Sequence, residues 1–503
     1  MRVRRQLGIS LLAAVAVALL AAASAAASPG GASLSAGQAR RAIHRATRLL
    51  RAPRRVHAGH SRARPAELTT TMLALARSLP DLPPLQRRRA KALLARPTDS
   101  PDPDGNSYTV PEATPFCSAH FCVHYVASTR DAPSLTDGNG NGVPDYVELV
   151  ASIAEPVYSV ENGTLGWQPP RPDGTRGGDS RTDIYLVQLG GQLFGYSAPD
   201  AGQLGRQQSA YLVVDNDYVP AEFPGTTPTG DLQVTLAHEY NHVLQFGYDV
   251  DQDLWFYEAS AVWMEDHVFP SNNDYLRYVR RWVDRSRLPI TQNNIKIYGS
   301  AVWNHWLAGR YGDAIVRNAW ERAAAVRPSG FAVATYDSAI RAAGGPGFAQ
   351  EFARFAAATA EWRTPGDFPY VDAPLWQDVK RAGTLRPGHF LAPRLNHTGF
   401  VLLRVPRVHA RTLRLLAGGQ RGTESAFALI CRQGPVATGR VRIRMRFARQ
   451  GGIRGITLRR PGRCSRITAA LINADARQQG FAFGDWLYGH DHERFAATLL
   501  ARS

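Results

Sequence analysis

Residues 232–267 read LQVTLAHEYNHVLQFGYDVDQDLWFYEASAVWMEDH, a stretch that predicts two adjacent helices. Asp231 reads as the cap of a helix running to Phe246, with Gly247 ending it. Asp253 reads as the cap of a second helix, stopped by Pro270. His238 and His242 fall one turn apart on one helix face, so both imidazoles reach a single metal ion. Glu239 projects beside them, where it can take a proton from a water at that ion. A catalytic zinc keeps three protein ligands and one open position. The second helix offers Glu258 as the third, among Trp255, Phe256, Val262 and Trp263. Such neighbours predict burial, and a buried carboxylate needs a cation or strong donors. Glu265, two turns further on with Asp266 beside it, is the fallback ligand.

Upstream, residues 105–230 alternate short strands with Pro- and Gly-rich loops. FCVHYVAS (121–128), TDIYLVQL (182–189) and SAYLVVDND (209–217) read as strands. Between the first two lies DGNGNGVPDYVE (137–148). Oxygens fall at Asp137, Asn139, Asn141, the Val143 carbonyl, Asp145 and Glu148, with Gly142 at the sharp turn. This is EF-hand ligand spacing, so a structural Ca2+ is expected, against an ion-free Asx-rich turn. Downstream, further helices are expected near 300–310, 313–325 and 346–361. From about 393 the pattern changes to period two, clearest in VRIRMRF (441–447), and an antiparallel β-sandwich is expected.

The 503 residues carry a formal charge of +17. With 44% hydrophobic residues the chain is globular. Residues 29–100 hold 15 Lys and Arg against three acids, while 101–503 hold 41 against 39. The near-neutral total of the larger part argues against a nucleic-acid partner. Arg2, Arg4 and Arg5, the apolar run from Leu7 to Leu20 and the small residues after it have the layout of a secretory signal peptide. An uncleaved anchor is the alternative; after cleavage no stable membrane insertion is expected. Four cysteines in an exported chain favour disulfides, paired by region as Cys117–Cys122 and Cys431–Cys464; a Cys-ligated zinc is the alternative. The expected division is a signal peptide (1–27), a basic helical propeptide-like segment (28–104), a β-rich part with the calcium loop (105–230), a helical zinc-binding part (231–370) and a sandwich domain (393–503). A partly disordered basic arm is the other reading of the second segment.

HEYNH followed by WFYEASAVWMED resembles the gluzincin metallopeptidases, most closely the aminopeptidase N branch, whose second helix reads WLNEGFA with a further Glu. Trp255, Glu258, Ala261 and Glu265 match that pattern. The resemblance implies an α+β, zincin-like domain with Zn2+ held by His238, His242 and Glu258, and Glu239 as general base. Ala259 replaces the family glycine and the His-to-Glu gap is shorter, so aminopeptidase specificity is not implied. HYVAS (124–128), DGNGNGVPDYVE, DIYLVQLG (183–190) and HEYNHVLQFGYD (238–249), in that order, also resemble a group of secreted bacterial metalloproteases. Tyr298, in IYGSAVWNHW, resembles the tyrosine-bearing segment that follows the zinc helices in aminopeptidases, which implies an oxyanion donor; a packed aromatic is the alternative. Tyr240 is a weaker candidate, and His305 between Trp303 and Trp306 reads as a core histidine. The expected function is that of a secreted zinc endopeptidase acting on a protein or peptide, free outside the cell or held at its surface. Two alternatives stand beside it: a calcium-stabilised surface-binding protein with a degenerate peptidase domain, and a zinc hydrolase of another amide or ester.

Overall fold

A computed structural model of the chain describes residues 34–51, 68–99, 107–190, 193–203, 205–292, 296–326, 330–365, 370–477, 481–482, 485–486 and 491–502. The expected signal peptide lies outside these residues. The basic segment folds as three helices, α1 (Ala36–Arg51), α2 (Leu68–Ser78) and α3 (Pro84–Leu93). In α2 every residue but Arg77 is buried. Its apolar side chains join the same core as the helices of residues 228–358.

The first sheet comprises β1 (Phe116–Cys117), β2 (Phe121–His124), β3 (Thr182–Val187), β4 (Gly195–Pro199) and β5 (Ala210–Asp215). Its order is β1-β2-β3-β5-β4. The pairs β2–β3 and β3–β5 are parallel, and the edge strands β1 and β4 run antiparallel. Cys117 and Cys122 form a disulfide across β1 and β2. β3 and β5 are buried at every position, as expected of central parallel strands covered on both faces. β4 carries Gly and Pro within five residues, and the sequence pattern gave no sign of it. Helix α4 (Asp145–Tyr158) follows the calcium-loop sequence.

The HExxH helix, α5 (Pro228–Tyr248), starts four residues earlier than expected. Thr227, not Asp231, is the cap: its side chain accepts from the Gly230 amide, with Pro228 at the first helical position. Asp231 instead accepts a 2.6 Å hydrogen bond from the Thr226 hydroxyl. Gly247 does not end the helix, which continues to Tyr248. Helix α6 (Leu254–Val268) begins after Asp253, whose carboxylate accepts from the Ala332 amide rather than from its own first turn. Then come α7 (Leu276–Val283), α8 (Lys296–Gly299), α9 (Ala301–Tyr311), α10 (Ala314–Ala325), α11 (Ala332–Ala342) and α12 (Phe348–Ala358). Helices α7 and α11 were not expected from the pattern. α5 packs on β4, β5, α4 and α6, and α6 packs on α8 and α9.

The C-terminal part has β6 (Arg381–Thr384), β7 (Phe390–Leu391), β8 (Arg394–Leu395), β9 (Phe400–Val405), β10 (Thr412–Gly419), β11 (Ser425–Gln433), β12 (Arg440–Ala448), β13 (Gly452–Arg459) and β14 (Arg466–Asn473). A short ribbon, β15 (Phe481–Ala482) and β16 (Asp485–Trp486), precedes β17 (Glu493–Arg502). Two sheets form, β12-β11-β14-β9-β6 and β13-β10-β17-β7, with β8 on β17. Phe427, Leu429 and Leu471 of one meet Leu413, Leu415 and Leu499 of the other in one apolar core. The pairing is antiparallel except at β6, which runs parallel to β9. Cys431 and Cys464 form the second disulfide. The chain is thus α+β, and among the described residues no helix is long and apolar enough to cross a membrane.

Candidate metal and catalytic site

Helix α6 is buried along its whole length from Leu254 to Asp266, so its polar side chains must find partners inside. Glu258 faces α5. Its Oε2 lies 3.3 Å from His238 Nε2 and 3.8 Å from His242 Nε2, and the two Nε2 atoms are 3.1 Å apart. The other ring nitrogens are engaged elsewhere. His238 Nδ1 lies 2.6 Å from Glu265 Oε1, and His242 Nδ1 lies 2.7 Å from Gln245 Oε1. Both oxygens accept a hydrogen bond from Nδ1–H, and in the neutral imidazole this tautomer leaves the Nε2 lone pair facing the cluster.

Three acceptors therefore converge in a buried space. Glu258 Oε2 has no hydrogen-bond partner, and Glu258 is only 2% exposed. Such a group calls for a cation. The two imidazoles titrate in opposite directions. Burial opposes charging His238, but the Glu258 and Glu265 carboxylates beside it outweigh that and raise its pKa well above the usual value. Burial lowers His242 to about 4, keeping it neutral. Two imidazoles and a carboxylate are a donor set that suits zinc, and these three residues offer ligand atoms within 4.8 Å of one another. The expected set is thus brought together, and Glu265 takes the supporting position behind His238.

Glu239 sits next to this cluster without joining it. Its Oε2 accepts from Ser197 Oγ at 3.0 Å and from Thr69 Oγ1 at 3.0 Å. Ser197 Oγ also reaches the Glu239 carbonyl at 2.8 Å. Burial pushes the Glu239 carboxyl up to about 7, with His238 opposing and Glu258 adding to the rise. Gly195 allows β4 to approach: a Cβ there would stand 2.6 Å from Thr235 Cγ2 and 3.4 Å from Glu239 Cγ. A cleft lined by Phe194, Gly195, Glu265, Arg277, Tyr278 and Tyr298 opens onto His238 and Glu239. Tyr298 stacks on the His238 ring at 6.4 Å, so the structure brings this residue to the site as well.

Sequence reasoning missed Thr69, Ser197, Gln245 and Arg277. Gln245 lies three residues beyond His242, on the same helical face, and that spacing could have found it. Its Nε2 donates to Asn241 Oδ1, Ser260 Oγ and the Tyr257 carbonyl, which ties α5 to α6. No sequence signal marks Thr69, which reaches Glu239 across 170 residues. Tyr240 points away, donating to Asn162 Oδ1 at 2.8 Å, and His305 is fully buried, as expected of a core histidine.

The calcium-loop residues also lie together. Asp137 accepts from the amides of Gly140, Asn141 and Gly142. Asp145 accepts from the Gly138 amide, and the Val143 amide donates to Asn141 Oδ1. Glu148 reaches back over the loop, its two oxygens accepting from the Asn139 and Asn141 side-chain amides at 2.9 and 2.7 Å. Gly142 has φ +86°, which suits glycine at the sixth loop position.

The chain belongs to the family described as "Family of unknown function (DUF6055)", whose model matches residues 99–365. That span contains the 137–148 loop, the two helices carrying His238, His242 and Glu258, and Tyr298. No curated protein matches the chain.

Proposed function

We propose that this protein is a secreted, zinc-dependent endopeptidase with a zincin-like catalytic domain. The observation that carries the reading is the convergence of His238 Nε2, His242 Nε2 and the unpartnered Glu258 Oε2 in a buried space beside Glu239. His238, His242 and Glu258 would hold the ion. When bound, zinc supplies Lewis-acid polarisation of the scissile carbonyl and makes a water nucleophilic near neutral pH.

The chain's own residues carry the proton chemistry. Glu239 takes a proton from the attacking water onto a carboxylate oxygen and returns it to the leaving amine nitrogen. Ser197 fixes that carboxylate by donating to Oε2. Glu265 and Gln245 hold the two imidazoles in the tautomer that presents Nε2. Tyr298, at the cleft wall, donates its hydroxyl proton to the oxygen that gains negative charge. Water is kept from the far side of the cluster by the buried aromatic side chains of α6.

Two further assignments belong with this reading. Asp137, Asn139, Asn141, the Val143 carbonyl, Asp145 and Glu148 would hold a structural Ca2+ at the start of α4. The basic N-terminal helices act as a propeptide, and Thr69 of α2 holds Glu239 until that segment is removed. The test of the central reading is casein hydrolysis by the purified mature protein. Hydrolysis that a zinc chelator abolishes and added Zn2+ restores supports it; a metal-loaded protein with no hydrolysis of protein or peptide contradicts it.

A further inference from the structure

The overall charge hides a segregation. Residues 101–392 hold 21 Lys and Arg against 34 Asp and Glu, whereas 393–503 hold 20 arginines against five acids. A near-neutral total therefore joins a part at −13 to a sandwich at +15.

The arginines are also ordered. β12 alternates strictly: Arg440, Arg442, Arg444 and Arg446 are exposed, while Val441, Ile443, Met445 and Phe447 pack against the core. β12 is the free edge of one sheet and β13 the free edge of the other, and the two strands are in contact. β13 carries two further exposed arginines, Arg454 and Arg459, which stand on opposite faces of that strand. Arg432 and Arg466, by contrast, pair with Glu361, and Arg477 with Asp475. Among the described residues no carboxylate pairs with the four β12 arginines or with Arg454 and Arg459.

From these observations we infer that the open side of the sandwich binds a linear polyol-phosphate polymer, with the β12 arginines as its phosphate contacts. Alternate residues of a strand stand roughly 6.6 Å apart, so the row presents a charged line about 20 Å long. Guanidinium forks match phosphate oxygens bidentately and are weakly hydrated. A strongly cationic face concentrates polyanions without needing a pocket. No Trp, Tyr or Phe is exposed on β12 or β13, so the face lacks the stacking platform that single-stranded nucleic acids use. Ile453 is the sole large apolar side chain exposed on these two strands, too little to anchor a bilayer. The inference does not depend on the zinc site.

The test is binding of the full chain to poly(glycerol phosphate) across a salt series, with duplex DNA and phosphatidylglycerol vesicles as comparison arms. Each phosphate contact to a flexible chain contributes about −0.7 to the slope of log affinity against log salt. Replacing all four with Thr (Arg440→Thr, Arg442→Thr, Arg444→Thr, Arg446→Thr) should make that slope shallower by about 3 and weaken binding roughly tenfold or more at low salt. A control that replaces Arg40, Arg41, Arg48 and Arg88, also exposed, should keep both. Should the quadruple variant fail to fold, Arg444→Glu alone should weaken binding without lowering the melting temperature. An unchanged slope in the β12 variants overturns the inference. Tighter binding to DNA or to vesicles than to the polymer overturns the choice of partner.

Discussion

Replacing Arg96 with Met should destabilise the protein more than any surface change. The Arg96 side chain is 2% exposed and meets three carboxylates. Its Nε donates to Asp200 Oδ1 at 2.8 Å, its Nη2 to Asp173 Oδ2 at 2.5 Å, and its Nη1 to Asp183. Asp183 would keep His124 and Asp200 would keep Ser209 Oγ, but Asp173 would lose the one cation beside it. Removing one partner of a buried pair costs about 3–5 kcal/mol, because the remaining charge stays desolvated. Arg96→Met keeps most of the volume, so the loss reports charge rather than packing. The pH dependence follows from Asp173, which burial raises to about 6 even with Arg96 present. A carboxyl whose folded pKa exceeds its unfolded value loses stability as pH rises through that interval and regains it as pH falls. Without Arg96 the interval extends upward, so the loss should be larger at pH 8 than at pH 5. Urea unfolding of wild type and variant at both values, followed by tryptophan fluorescence, measures it. A loss below about 1 kcal/mol at pH 8, or an equal loss at both values, refutes the reasoning.

Asp137→Ala should lower the melting temperature in Ca2+ but leave it nearly unchanged in excess calcium chelator, since a ligand bound only by the native state adds stability by mass action; equal loss in both conditions rejects an ion there. Glu265→Gln should weaken zinc affinity about 10–100-fold while still allowing full loading at high zinc, as expected for a residue acting through a ligand; zinc titration against a competing chelator measures this. Thr69→Val removes one donor to Glu239 and leaves the Ser197 amide without its partner. It should destabilise the full chain by about 1–3 kcal/mol; thermal unfolding of wild type and variant measures it, and an unchanged melting temperature rejects the contact.

The two helices of the candidate site were legible because their pattern is local. The His238–His242 spacing, Glu239 between them and the apolar neighbours of Glu258 all lie within one short stretch. The helix start was misjudged because Asp231 is a good cap residue, yet Thr227 followed by Pro228 caps the helix one turn earlier, accepting from the Gly230 amide. β4 was missed because GYSAP has neither alternation nor β-branched residues, although it supplies the Ser197 that holds Glu239. Thr69 and Arg96 could not be read at all. Their partners lie up to 170 residues away, and only the folded chain brings a buried hydroxyl or guanidinium to them. The sandwich was legible from period-two runs, but β6 gave no sign of pairing parallel to β9. Charge misled in one respect: summed over 101–503 it concealed an acidic part beside a basic one.

The most direct measurement compares Glu239→Gln with Glu258→Ala for zinc content and casein hydrolysis. A general base contributes typically 10²–10⁴-fold in rate. Glu239→Gln should keep about one zinc per chain, since it is not a ligand, and lose nearly all hydrolysis. Glu258→Ala should lose the zinc itself. A Glu239→Gln protein that cleaves casein at the wild-type rate would contradict the proposed mechanism, and a Glu258→Ala protein that keeps its zinc would contradict the ligand set.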